Sequence, residues 1–250
     1  MPLSLVDHLF VLYLAIAAPL LGVVDFRKLT ERVAANDPSA RRAFYRSWIA
    51  WSWIPVFGLL AFCWYMNRPM SELGMGFSVG TGFWISLALM LLLCGLMAGE
   101  VTMLRQNPEK MQAMRSGLEP ILPMFPRDRQ ESLESSLMGI SAGICEEIIY
   151  RGYLMFYVSN IISFAEPFLS ILLSSIVFGL GHAYQGGRGI VKTGVIGAIF
   201  AGLYWLSGSV WVPILLHIAI DITSGAMSKS LLAANEDAID TSTSEELITD

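Results

Sequence analysis

Two adjacent glutamates and an arginine, Glu146, Glu147 and Arg151, stand inside the otherwise apolar stretch GICEEIIYRGYLMF. An ionisable side chain at mid-membrane costs roughly 2.5–3.5 kcal/mol on insertion scales, so its presence asks for a partner or a purpose. Glu147 and Arg151 are spaced i, i+4 with the acid first, the better order for a helical ion pair. Glu146 is turned away by about 100° and has no such partner nearby. Two later apolar stretches carry the groups that could serve it. FGLGH brings Phe178 and His182, and HIAID brings His217 and Asp221, each pair at i, i+4 on one helical face.

These types suit one chemistry well. A carboxylate and an imidazole on facing helices can hold a water molecule and take its proton. A second imidazole can donate to the oxyanion that forms when this water attacks an amide carbonyl. Arg151 would hold Glu147 in place or meet a substrate carboxylate. The set fits hydrolysis of a peptide bond. Glu146, His182 and His217 could instead ligate Zn²⁺ with an open position for water, although no H-E-x-x-H is present. Plainer readings exist for each part: a structural Glu147–Arg151 pair, a His217–Asp221 packing bond, a core Phe178. A non-proteolytic alternative is a proton-coupled transporter or a scaffold for a partner helix, since buried Glu, His and Arg also build proton relays. No paired repeat with broken helices, the usual pointer to a transporter, is visible. Ser141 lies in a G-x-S-x-G match, but inside an apolar helix rather than at a strand-to-helix elbow, and reads as packing. Cys145 reads as a small apolar filler.

The elements that must position these groups are membrane helices. The chain has 250 residues, 54% hydrophobic and 15% charged, against about 25% charged in an average soluble domain. Seven apolar segments approach the roughly 20 residues needed to cross a bilayer: about 5–24, 48–66, 83–104, 137–158, 167–184, 190–206 and 209–228. The expected fold is all-α, a polytopic membrane protein of about seven transmembrane helices whose catalytic bundle comes from the last four. Residues 1–130 form the first part with its basic loops, 131–228 the catalytic part, and 229–250 an acidic, disordered cytoplasmic tail.

Charge orients the spans. Arg27, Lys28, Arg32, Arg41, Arg42 and Arg46 lie between the first and second, and Arg105, Lys110, Arg115, Arg127 and Arg129 between the third and fourth. Arg188, Lys192 and Lys229 fall on the same side, whereas the other side has Arg68. The positive-inside rule then places the N-terminus outside, the C-terminus in the cytoplasm and the site open to the cytoplasmic side. The seven tryptophans lie near span ends, where indole prefers the headgroup zone. His8, the third histidine, adjoins Asp7 at the start of the first span and reads as an interfacial pair. Gly139 and Gly143 form a GxxxG pair, and Gly194, Gly197, Ala198, Ala201 and Gly202 dot the sixth span, so the last four helices should pack closely. Three cysteines, Cys63, Cys94 and Cys145, all in apolar runs, make no disulfide framework. No basic patch interleaved with aromatics suggests nucleic acid.

At these residues the sequence resembles the CAAX-protease and bacteriocin-processing (CPBP, or Abi) intramembrane endopeptidases. The family pattern is E-E-x-x-x-R, then F-x-x-x-H, then H-x-x-x-N or D on successive membrane helices. Here the three are Glu146-Glu147-x-x-x-Arg151, Phe178-x-x-x-His182 and His217-x-x-x-Asp221, in order within the last half of the chain. The resemblance implies a peptidase in which Glu146 and His182 activate water and His217 with the residue at 221 line the oxyanion site. It implies no cofactor for the favoured glutamic mechanism, with zinc as the alternative. It also implies a membrane-associated protein or peptide as substrate. Position 221 is Asp rather than the Asn of the CAAX-processing branch, and an ionised Asp cannot donate to an oxyanion; it could orient His217 instead. The compact chain is expected in a prokaryotic inner (plasma) membrane.

Overall fold

The computed structural model describes residues 3–76, 79–162 and 167–246; of residues 229, 230 and 233–246 the backbone alone is described. Among the described residues the protein is all-helical, without strands. Helix α1 spans Leu5–Ala34, α2 Ala40–Tyr65 and α3 Thr81–Arg105. A short α4, Pro108–Leu118, follows. Helix α5 covers residues 129–161, α6 Phe168–Gly181, α7 Gly186–Ser207 and α8 Trp211–Glu246.

Each of the seven apolar segments expected from sequence is helical. Five helices are long and apolar enough to cross a membrane: α1, α2, α3, α7 with the preceding turn, and α8 over Trp211–Ser228. Two do not qualify on these grounds. Helix α5 carries Glu131, Glu134, Glu146, Glu147 and Arg151. Helix α6 has 14 residues, about 21 Å of helix against a hydrocarbon core of about 30 Å. A count of seven therefore rests on α5 and α6 crossing with the others. Leu9, Leu20, Leu92 and Val195 are all exposed, as lipid-facing positions should be. The proposed acidic tail falls mostly on side chains outside the described residues.

Local signals account for the helix ends. Asn107 caps α4 by accepting from the Lys110 N–H at 3.0 Å, with Pro108 at the first helical position. Asp128 caps α5 by accepting from the Glu131 N–H at 2.8 Å. Helix α4 went unforeseen because it is short and half polar. Its Met111 packs with Met227 and Leu231 of α8.

Helices α6 and α7 pack most extensively against each other, and α8 and α2 both pack on α5. The GxxxG pair explains the α5–α8 approach. A Cβ at Gly139 would stand 2.8 Å from Asp221 Cβ, and one at Gly143 would stand 3.0 Å from the Ile218 backbone nitrogen. Small residues let the two backbones close up where no hydrophobic drive between helices exists in lipid.

Ion pairs tie the bundle at both ends. Glu134 of α5 receives Arg46 Nη2 at 2.6 Å and Arg42 Nε at 3.2 Å from α2. At the opposite end Arg68 clasps Asp7 with two hydrogen bonds of 2.5 and 2.7 Å, and Tyr153 donates to Asp7 at 2.7 Å. Both charged side chains are essentially sealed from solvent. This corrects the sequence reading of Asp7 with His8. Neighbouring helical residues diverge by about 100°; Asp7 faces the bundle, while His8 Nδ1 meets the Tyr157 hydroxyl at 2.7 Å. Arg68, the lone basic residue expected on the outer side, is consumed by the same pair.

Candidate active site

The site is built where α5 changes its winding. Arg129–Glu146 is α-helical, Glu147–Leu154 is π-helical, and Met155–Ile161 returns to α. A π-helix is rare and occurs mostly as a short insertion at functional sites. Every side chain of the π segment is buried. Ser174 of α6 holds the widened turn by donating its hydroxyl to the Tyr150 carbonyl at 2.9 Å.

Glu147 and Arg151 are fully buried and paired, Nη1 to Oε1 at 2.8 Å. The same Oε1 receives Nδ1 of His217 from α8 at 2.8 Å. Arg151 also donates Nη2 to the Gly197 carbonyl of α7 at 3.2 Å. Its guanidinium lies 4.1 Å from the Phe178 ring centre and 5.1 Å from that of Phe200. Two carbonyl or carboxylate oxygens and two π faces thus offset the removal of this cation from water. Gly197 is needed for the approach, since a Cβ there would stand 2.9 Å from Phe178.

Glu146 stands apart. Its Oε2 is buried without a hydrogen-bond partner among the described residues and lies 3.9 Å from His217 Nε2. Asp221 Oδ2 lies 3.8 Å from that same nitrogen, too far for a hydrogen bond. The carboxylate that orients His217 is therefore Glu147, not Asp221 as the sequence allowed. Because a carboxylate can only accept, Nδ1 of His217 carries the proton.

His182 closes α6. Its Nδ1 meets the Phe178 carbonyl at 2.9 Å, so Nδ1 is again the protonated nitrogen and Nε2 keeps its lone pair. Phe178 lies between the two imidazoles, with ring centres 4.7 Å from His182 and 6.0 Å from His217. All three motifs meet around this one aromatic ring. Ser141 and Cys145 are buried inside α5, where the sequence reading put them.

Several contributors went unnoticed in the sequence. Phe200 stacks on His217 at 5.0 Å, and the Gly197 carbonyl takes Arg151. Their i, i+3 spacing on α7 was a usable signal. Tyr184 adjoins His182, with ring centres 5.9 Å apart, and Phe26 of α1 covers it at 5.2 Å. Among the described residues no group of three or more His, Cys, Asp or Glu side chains stands close enough together to hold a metal ion in this arrangement.

Comparison with known proteins bears on residues 130–223, which match the family model described as type II CAAX prenyl endopeptidase Rce1-like. No curated protein and no solved structure matches the chain. The matched segment contains α5 through most of the membrane part of α8 and all seven motif residues. Several apolar helices and this match support an integral membrane protein with a CAAX-protease-like segment. Residues 130–223 are thus similar to the Rce1-like CAAX prenyl endopeptidases, a match consistent with the CPBP family that the motifs resemble.

Proposed function

We propose that the protein is an intramembrane endopeptidase that hydrolyses a peptide bond of a membrane-associated protein or peptide, with water activated between Glu146 and His182. The observation that carries this reading is the buried Glu146 Oε2, which has no hydrogen-bond partner among the described residues and stands beside a Glu147 whose Oε1 already takes both Arg151 and His217. A buried carboxylate oxygen without a partner is costly to fold and is tolerated where chemistry needs it.

The reaction proceeds by metal-free water attack. Glu146 and the free Nε2 of His182 accept a proton from water as its oxygen bonds to the carbonyl carbon. The carbonyl π electrons move to oxygen. When they return, the C–N bond breaks and the departing amine takes the proton. Glu147 holds His217 in one orientation beside the reacting centre, and Arg151 holds Glu147 in place. The orientation read from the basic loops opens the site to the cytoplasm of a prokaryotic inner membrane.

The test compares new protein termini in membranes of cells expressing the intact chain or Glu146→Ala. Termini present with the first and missing with the second identify a substrate. Matching profiles from two normally accumulating proteins would defeat the peptidase reading and turn attention to proton-coupled flux. A prenylated CAAX peptide, offered to both purified proteins, tests the substrate class that the family description names.

A further inference from the structure

Glu146, His182, His217 and Asp221 bring no hydroxyl or amide N–H donor to the site. His217 commits Nδ1–H to Glu147. His182 commits Nδ1–H to the Phe178 carbonyl and presents a lone pair at Nε2. Asp221, where the CAAX-processing branch has Asn, accepts when ionised and brings no N–H. Hydrolysis of an amide nonetheless develops negative charge on the carbonyl oxygen, and that charge needs a donor.

Tyr150 stands in position to supply it. It follows Glu146 by four residues and so shares its face of α5. Its ring is buried and packs edge-on against Phe178, with centres 5.2 Å apart at 87°. Its hydroxyl lies against the residue before His182: a Cβ added at Gly181 would stand 3.0 Å from the Tyr150 oxygen. The Ser174 bond to the Tyr150 carbonyl fixes the backbone that aims it. The hydroxyl makes no hydrogen bond to another described residue, and it is not among the unpartnered polar atoms sealed from solvent. A phenol with a fixed ring beside His182, its O–H bonded to no other described residue, can donate to an acceptor brought there.

We propose that Tyr150 is a further catalytic residue, whose hydroxyl donates a hydrogen bond to the scissile carbonyl oxygen as that oxygen becomes negative. This rests on the peptidase reading above. The O–H bond stays intact throughout; the hydrogen bond strengthens as charge builds on the substrate oxygen and relaxes when the C–N bond breaks. The role is one of differential binding, so it acts on kcat more than on KM.

The experiment uses the full-length purified protein and an internally quenched peptide spanning a Glu146-dependent cleavage junction. Tyr150→Phe removes one oxygen and keeps the ring on Phe178. Loss of one oxyanion donor typically lowers kcat by about 10²–10³-fold, and a fall of that size with KM within about twofold is expected. Wild-type turnover in Tyr150→Phe, with Glu146→Ala inactive, overturns the donor role and leaves the peptidase reading standing. Turnover retained in Glu146→Ala defeats the underlying reading instead. Should Tyr150→Phe fail to accumulate, 3,5-difluorotyrosine placed at 150 decides. Its more acidic phenol ionises earlier, so the alkaline limb of the kcat profile should move to lower pH; an unmoved limb refutes the proposal.

Discussion

The Oε1 atom of Glu147 takes Nη1 of Arg151 from its own helix and Nδ1 of His217 from α8, each at 2.8 Å. One carboxylate oxygen thereby joins α5 to α8, and Arg151 extends the link to α7 through the Gly197 carbonyl. The neighbouring Glu146 shares none of these bonds. Two chemically identical side chains, one residue apart, occupy different situations: Glu147 bridges two helices, whereas Glu146 makes none of these bonds.

Glu147→Gln and Glu146→Gln should accordingly fail in different ways. Glu147→Gln strands the buried Arg151 cation, and breaking one partner of such a pair costs about 3–5 kcal/mol. Thermal unfolding in detergent should show that loss together with lost cleavage. Glu146→Gln should unfold at or above the wild-type temperature while cleavage disappears.

The Asp7–Arg68 clasp predicts a non-additive pair. Asp7→Leu or Arg68→Met alone leaves a sealed charge and should lower stability by about 3–5 kcal/mol. The double variant should recover most of it, because apolar residues of similar volume often replace buried pairs without loss. Equal and additive losses in a double-mutant cycle would contradict a coupled pair.

Glu134 ties α2 to α5 at the opposite end and should make stability acid-sensitive. Its hydrogen bond from Arg46 holds its carboxyl below the ordinary value of 4.5, with burial opposing and Arg42 assisting. A depressed folded-state pKa contributes stability that is fully present above about 4.5 and is lost as pH falls through the lower folded value. Unfolding temperatures recorded downward from pH 6 should show a decline that is smaller in Glu134→Gln. Added salt should blunt the difference, since the arginines are partly exposed.

Gly143→Ala and Gly99→Ala compare a helix crossing with a lipid-facing position. A methyl at Gly143 meets Ile218 Cγ1 at 2.5 Å and its backbone nitrogen at 3.0 Å, so α5 and α8 must part. Overpacking of this kind costs about 1–3 kcal/mol, and a shifted His217 should reduce cleavage as well. At Gly99 no atom lies within 4 Å, and activity and stability should hold or improve slightly.

Metal removal distinguishes the two hydrolytic chemistries. Cleavage by protein dialysed against chelator should equal that of untreated protein, and added zinc should not raise it. Loss on dialysis with recovery on adding zinc would reinstate the metal alternative.

What the sequence determined by itself was local or periodic. The apolar segments imposed helices because a backbone in lipid must satisfy its own hydrogen bonds. The i, i+4 spacing paired Glu147 with Arg151 and left Glu146 without a neighbour, since one turn of helix settles that contact. The GxxxG pair announced a close crossing without naming its partner. The tertiary structure decided what spacing cannot encode. Asp7 took Arg68, sixty-one residues away, rather than the adjacent His8, because helical neighbours point apart and only packing brings α1 to the end of α2. His217 turned to Glu147 rather than to Asp221, its i+4 neighbour, because the α5–α8 crossing offered a buried carboxylate at 2.8 Å. The π winding of Glu147–Leu154 likewise has no signature in residue type; it lies where interhelical bonds from Ser174 and His217 and to the Gly197 carbonyl meet α5.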